Sequence, residues 1–247
     1  MIVLGFDTAT HATAVGLRLL DGSALQARDD PLPGGHPGHA TRLLALAAGL
    51  LGEAGVRWRE VERIAVGVGP GTFTGLRVGV ATARGLAQSL GAELVGVSSL
   101  AALAHGALAE PAGSRDRPDG VLAVIDARRG EAFAAAFLAG ADAPEEIEAP
   151  RVLGPDRLAA LAAELDERRR WLAIGDGAVR YRERLQAAVE VPEDGSSLHL
   201  IGGAAVCELG ARAAAAGRPE DVRPEYLRRP DAEIALKAAG AGAASKP

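Results

Sequence analysis

Hydrophobic positions fall into two rhythms along this chain. Short apolar runs at 2–6, 64–68, 121–125 and 171–174 predict buried strands, and 93–97 a further short one. Residues 14–20 and 131–138 follow polar turns and predict strands returning beside the ones before them. Elsewhere the apolar residues recur with helical spacing. Helices are expected over about 39–54, stopped by Gly55, over about 74–90, after a Ser98-Ser99 cap, and over 153–170 and 203–216. In the first of these, Leu43, Leu46, Leu50 and Leu51 with Ala47 and Ala54 make a broad apolar stripe. Ala45, Gly49 and Gly52 form a second strip, of small residues only.

The most informative stretch is 67–87, GVGPGTFTGLRVGVATARGLA. A strand breaks at Gly69-Pro70-Gly71, and helical spacing restarts after Thr72 or Thr74. Gly75, Gly79 and Ala83 then fall at i, i+4 and i+8 and share one face. A glycine inside a helix costs about 1 kcal/mol relative to alanine, so two on one face imply that another backbone comes very close. The expectation is that a foreign subunit presses on this helix and on its predecessor. The expected contact residues are His39, Leu43, Leu46, Ala47 and Leu50 on the first, and Gly75, Leu76, Gly79, Val80 and Ala83 on the second.

Other motifs fail on spacing. A P-loop needs Lys and then Ser or Thr after its last glycine, where this chain has Leu76-Arg77. The dinucleotide fingerprint starts at Gly67-Val68-Gly69 but meets Thr72 where its third glycine belongs, and no nucleophile elbow is centred here. An anion at the helix N-terminus stays open as the second reading of this turn.

Composition narrows the class. With 48% hydrophobic and 24% charged residues among 247, the chain is ordinary globular and long enough for one large domain or two lobes. A formal charge of −5 and 3% aromatic residues argue against a stand-alone nucleic-acid binder, which needs a basic footprint and stacking platforms. Cys207, the lone cysteine, reads as a small core residue. The opening run reaches Asp7 too soon for a signal peptide, and no apolar stretch is long enough to span a bilayer, so a cytoplasmic location without membrane contact is expected.

Candidate chemistry is sparse. Of the five histidines only His36 and His39 are neighbours, flanking Pro37-Gly38, and no metal site and no catalytic residue is expected. Asp7, with Thr8 and Thr10, either holds Mg-nucleotide or caps its own turn. Asp7, Thr8, Gly71 and Thr72 are therefore the candidate nucleotide or phosphate positions. Asp126 lies at short range from Arg128 and Arg129, which suits a local ion pair.

An internal echo bears on the fold. IVLGFDTATHATAVGL and VLAVIDARRGEAFAAAF share a strand, an Asp at its end, a polar turn and a returning apolar strand. This duplication favours an α/β chain of two related lobes, as in the actin/Hsp70/sugar-kinase (ribonuclease H-like) architecture. The expected division is 1–110 for the first lobe and 111–219 for a degenerate second one. The boundary falls at the Pro-containing stretch 111–120, and the tail from about 220 to 247 packs back on the first lobe, with 238–247 disordered.

The block 61–104, with GPGTFTGLR at its heart, closely resembles the bacterial TsaB (YeaZ-like) family. So do the opening LGFDTAT, the segment VIDARRGEAF, Gly175-Asp176-Gly177-Ala178 and the run Arg223-Pro224-Glu225-Tyr226-Leu227-Arg228. His39-Ala40-Thr41-Arg42 departs from the family's more polar His-Ser-Glu opening. The resemblance implies a two-lobed actin-like fold and a non-catalytic assembly or dimerisation subunit in the making of N6-threonylcarbamoyladenosine beside the tRNA anticodon. The implied partners are the catalytic, metal-carrying TsaD subunit and a small ATPase, TsaE, with tRNA held through the complex and a homodimer as the alternative pairing. No cofactor is expected in the chain itself, with ATP or ADP and Mg only at the level of the complex. Two other readings are a self-sufficient sugar-kinase-like phosphotransferase working through Asp7 and the 69–71 turn, and a metalloprotease.

Overall fold

The computed structural model describes residues 1–32, 34–109 and 117–228. Two sheets stand back to back with helices between and outside them. The first sheet holds β1 (Val3–Asp7), β2 (Thr13–Arg18), β3 (Ala24–Asp29), β4 (Arg63–Gly69) and β5 (Glu93–Ser98) in the order β3-β2-β1-β4-β5. β1, β2 and β3 form an antiparallel meander, whereas β4 and β5 run parallel to β1. The second holds β6 (Gly120–Arg128), β7 (Glu131–Leu138), β8 (Glu145–Leu153) and β9 (Trp171–Ile174) in the order β8-β7-β6-β9. Here too the first strand pairs antiparallel with its successor and parallel with a later one, so the second sheet repeats the first with one strand fewer.

Packing explains why the central strands read as continuous apolar runs: both faces of each sheet are covered. On the outer face of the first sheet, Leu4, Phe6, Val15, Ile64 and Val66 meet α1 (His39–Glu53) and α2 (Phe73–Leu90). Its inner face packs on α3 (Ser99–Leu108) and α7 (Gly203–Arg212), which also touch Val121, Ala123 and Ile125 of the second sheet through one shared core. The far side of the second sheet, with Leu122, Val124 and Ala134, is covered by α4 (Pro155–Glu164) and the short α5 (Asp176–Arg180) and α6 (Arg182–Leu185). Gly55 and Gly91, both at φ +66, stop α1 and α2, and the Ser98 side chain caps α3 by accepting from the Ala101 N–H.

Four elements differ from the sequence reading. β3 and β8 are edge strands whose exposed, charged positions leave no apolar run, which is how edges avoid foreign pairing. α4 starts at Pro155 because the residues before it belong to β8, and α7 ends at Arg212, short of the expected 216. α7, assigned by sequence to the second lobe, lies flush on β1 and β2 of the first. A Cβ at Gly16 would stand 2.3 Å from the Gly203 carbonyl oxygen, and one at Gly5 2.7 Å from the Cys207 sulfur, so only glycine permits this approach. Burial pushes the Cys207 thiol up to about 12, in keeping with an inert core residue. Beyond α7 the chain stays on the first lobe: the Ala216 N–H donates to the Leu94 carbonyl, the Glu225 N–H to the Val68 carbonyl, and Arg84 to the Val222 carbonyl. The expected boundary at 111–116 and the tail at 229–247 lie outside the described residues.

Candidate functional site

β1 ends at Asp7, and the turn that follows is clasped by the start of α2. The Thr8 hydroxyl donates to the Gly75 carbonyl at 2.8 Å, and the Thr72 N–H donates to the Ala9 carbonyl at 2.7 Å. The Asp7 carboxylate accepts from the Ala9 N–H at 2.7 Å and from the Ser99 hydroxyl at 2.5 Å. It is 1% exposed. Burial raises its pKa, and the hydrogen bonds from Ser99 and Ala9 oppose that rise.

This clasp corrects both sequence expectations for the segment. The small-residue face of α2 receives the chain's own turn: a Cβ at Gly75 would lie 1.9 Å from the Thr8 carbonyl oxygen, and one at Gly79 2.4 Å from the Thr8 hydroxyl. Gly75, Leu76, Gly79, Val80 and Ala83 are buried in the first lobe, as are His39, Leu43, Ala47 and Leu50 of α1; Leu46 alone is half-exposed. None of the nine buried residues can meet a foreign subunit. His39 instead lodges its Nδ1 2.9 Å from the Thr13 hydroxyl. The phosphate positions fail likewise. Asp7 and Thr8 are sealed, Ala9 fills the space a ligand would take above Gly71, and the Thr72 N–H is already engaged. Asp7 caps its own turn.

Asp7→Asn is therefore expected to keep the fold and to gain stability at neutral pH. The folded-state pKa of Asp7 lies above its ordinary value, so the folded chain binds more protons than the unfolded one across that interval. Stability contributed at this position is thus lost as pH rises from the unfolded pKa of about 3.9 through the folded one. Thermal melts should put the variant at or above wild type at pH 7, with the difference closing toward pH 4. A variant that melts lower only at pH 7 would contradict this.

What α1 and α2 leave open is their other side. Ala45, Ala48, Gly49 and Gly52 of α1 and Ala81 and Gly85 of α2 are exposed, beside Leu44 at 47% exposure. A Cβ built at Gly49, Gly52 or Gly85 meets nothing within 4 Å. Sequence had noted Ala45, Gly49 and Gly52 as a small-residue strip but had placed contact on the wrong face.

The second Asp of the duplicated pattern sits in different company. Asp126 is buried, and its carboxylate accepts from the Arg128 N–H at 2.9 Å and from Arg180 at 2.9 Å, with the Arg128 guanidinium 3.4 Å away. The Arg128 pairing was legible in sequence; Arg180, on α5, was not. The Asp126 N–H in turn donates to Asp176. Asp176 keeps one edge exposed, but desolvation on its crowded sides raises its pKa, and the Asp126 carboxylate adds to the rise. Among the described residues, no group of three or more His, Cys, Asp or Glu side chains is placed to hold a metal, and no helix is long and apolar enough to cross a membrane.

Two lobes on one strand order, each with an Asp at the end of its first strand, place the chain in the actin-like ATPase and sugar-kinase class of folds. The family model for TsaD, tRNA N6-adenosine threonylcarbamoyltransferase, matches residues 35–236. The Escherichia coli K12 protein named tRNA threonylcarbamoyladenosine biosynthesis protein TsaB is 32% identical over 240 residues, covering 92% of this chain and 95% of its own. The Haemophilus influenzae protein of the same name is 32% identical over 133 residues, 54% of this chain and 52% of its own. The solved structure of YeaZ from Pseudomonas aeruginosa matches with a TM-score of 0.77 at 31% identity, covering 92% of this chain and 99% of that one. The chain belongs to the TsaB/YeaZ family.

Proposed function

We propose that this chain serves tRNA threonylcarbamoyladenosine biosynthesis as a non-catalytic assembly subunit that docks a TsaD-type subunit on the outer face of α1 and α2. The open strip around Gly49, Gly52 and Gly85 carries the reading. Small, uncharged side chains let two helix pairs approach closely with little polar surface to desolvate. A second copy of the chain suits the same strip, so a homodimer and the mixed dimer compete for it. Threonylcarbamoyl transfer, the metal and any nucleotide belong to the TsaD-type partner or to its junction with this chain, and a TsaE-type ATPase and tRNA join at the level of the complex. The self-sufficient phosphotransferase reading needs an accessible Asp7, and that carboxylate is sealed. Asp7→Asn should therefore leave transfer by the reconstituted complex unchanged.

Gly49→Arg tests the docking face. The position is open and helical, so the substitution improves helix propensity by up to about 1 kcal/mol and the isolated chain should melt at or above wild type. Its affinity for a TsaD-type subunit, read by co-elution and titration, should fall about tenfold or more. Wild-type affinity would remove the proposed interface.

A further inference from the structure

The tip of the β6–β7 hairpin carries side chains that its backbone disfavours. Arg128 pairs with Glu131, which leaves Arg129 and Gly130 as a two-residue loop with φ +54 and +80, the pattern of a type I′ turn. Arg128 itself has φ +63 at the register shift just before the turn. Both positions ordinarily go to glycine or asparagine, because a Cβ in the left-handed region crowds its own carbonyl. Here both carry arginine, and both arginines are exposed. Strain kept in place by neighbouring structure marks sites where the side chain itself is needed.

The surroundings give those side chains a sign. Arg128 and Arg180, 48% and 45% exposed, converge on one carboxylate, that of the buried Asp126. Two guanidinium groups over one acid leave a net positive charge at the surface, with Arg129 beside them. Asp176 offsets little, since its environment favours the neutral acid. Glu131 at the base of the hairpin is matched by Arg228, which also donates to the Ala127 carbonyl at 2.8 Å and braces the tip from behind. Across from the tip, in the β1–β2 turn, His11 feels the charge of Arg128. In a chain of formal charge −5, this is a local reversal of sign.

We infer that the Arg128–Arg129 tip, with Arg180, grips the sugar-phosphate backbone of an RNA. Phosphate oxygens suit planar guanidinium donors presented on a rigid turn, and contact through so few cations explains how an acidic chain engages RNA weakly by itself and usefully within an assembly. The inference rests on the tRNA-linked role proposed above and names the surface through which this chain takes part in it.

The double variant Arg128→Gly, Arg129→Asn places in the turn the residues its backbone favours and removes both charges. It should melt about 2–4 °C higher than wild type for each kcal/mol of strain relieved. Binding of an unmodified tRNA transcript to the isolated chain at about 50 mM salt should fall about tenfold, and the slope of log affinity against log salt should shrink by one to two. The same loss should appear in the complex with a TsaD-type subunit, with co-elution intact. Equal binding by both chains, or no measurable binding by wild type at that salt, overturns the inference. Loss of co-elution with tRNA binding preserved makes the tip a protein contact and overturns it as well. A Gly49→Arg chain that still joins its partner refutes the docking proposal alone, because tRNA binding by the isolated chain reads the tip directly.

Discussion

Gly75→Ala is expected to unfold this protein or bring it to the edge of unfolding. The added methyl would sit 1.9 Å from the Thr8 carbonyl oxygen and 2.6 Å from the Thr72 hydroxyl. The first of these is backbone, fixed at the end of β1 and tied to α2 by the Thr8–Gly75 hydrogen bond. Neither element can retreat alone, because both are packed into the same core. Overpacking usually costs about 1–3 kcal/mol where side chains can shift; a clash between backbones belongs in the tail above about 4 kcal/mol. For a chain of this size that lowers the melting temperature by roughly 8–16 °C. Gly85→Ala is the matched control, since it lies on the same helix in open space and should gain about 1 kcal/mol. If the two variants melt alike, the turn is not seated against α2 as described.

Arg63→Ala should be nearly as damaging, for a polar reason. Arg63 is a buried residue at the start of β4, and one of its terminal nitrogens donates to the carbonyls of Gly210, Ala211 and Ala213 at 2.9, 3.2 and 2.9 Å. These are the orphan carbonyls at the C-terminus of α7, where a cation is also favoured by the helix dipole. Its remaining donors engage Glu93. Truncation strands the carbonyls and leaves a cavity at the joint between α7 and the first sheet. A loss of about 3 kcal/mol is expected, or roughly 6–12 °C in melting temperature. Hydrogen exchange should show the opening concentrated in α7. Uniform loss of protection, or none, would contradict the assigned role.

Much of the fold was legible in sequence, and the reasons for what was missed are local. Apolar runs gave the central strands because both faces of each sheet are covered. The meander edges β3 and β8 escaped notice because edge strands carry charges where central ones carry valine and leucine. The glycine spacing of α2 correctly signalled a close backbone approach. Spacing does not say whose backbone approaches, and it belongs to Thr8, 67 residues earlier in the chain. The exposed strip of α1 was seen as small residues but carried no signal of which side faced water. At the second Asp, the partner two residues away could be read, and the one 54 residues away could not.

The return of α7 and residues 216–228 to the first lobe makes the second lobe an insertion within the first. A ribosome delivers β1 through β5 long before the helix that covers their inner face. Until residues 203–228 emerge, Val3, Ala65 and Val95 have no lid on that side, and the sheet carrying α1 and α2 stays unfinished. Prematurely ended chains therefore offer no finished surface for α1 and α2 to present, so the order of synthesis itself screens what enters the assembly.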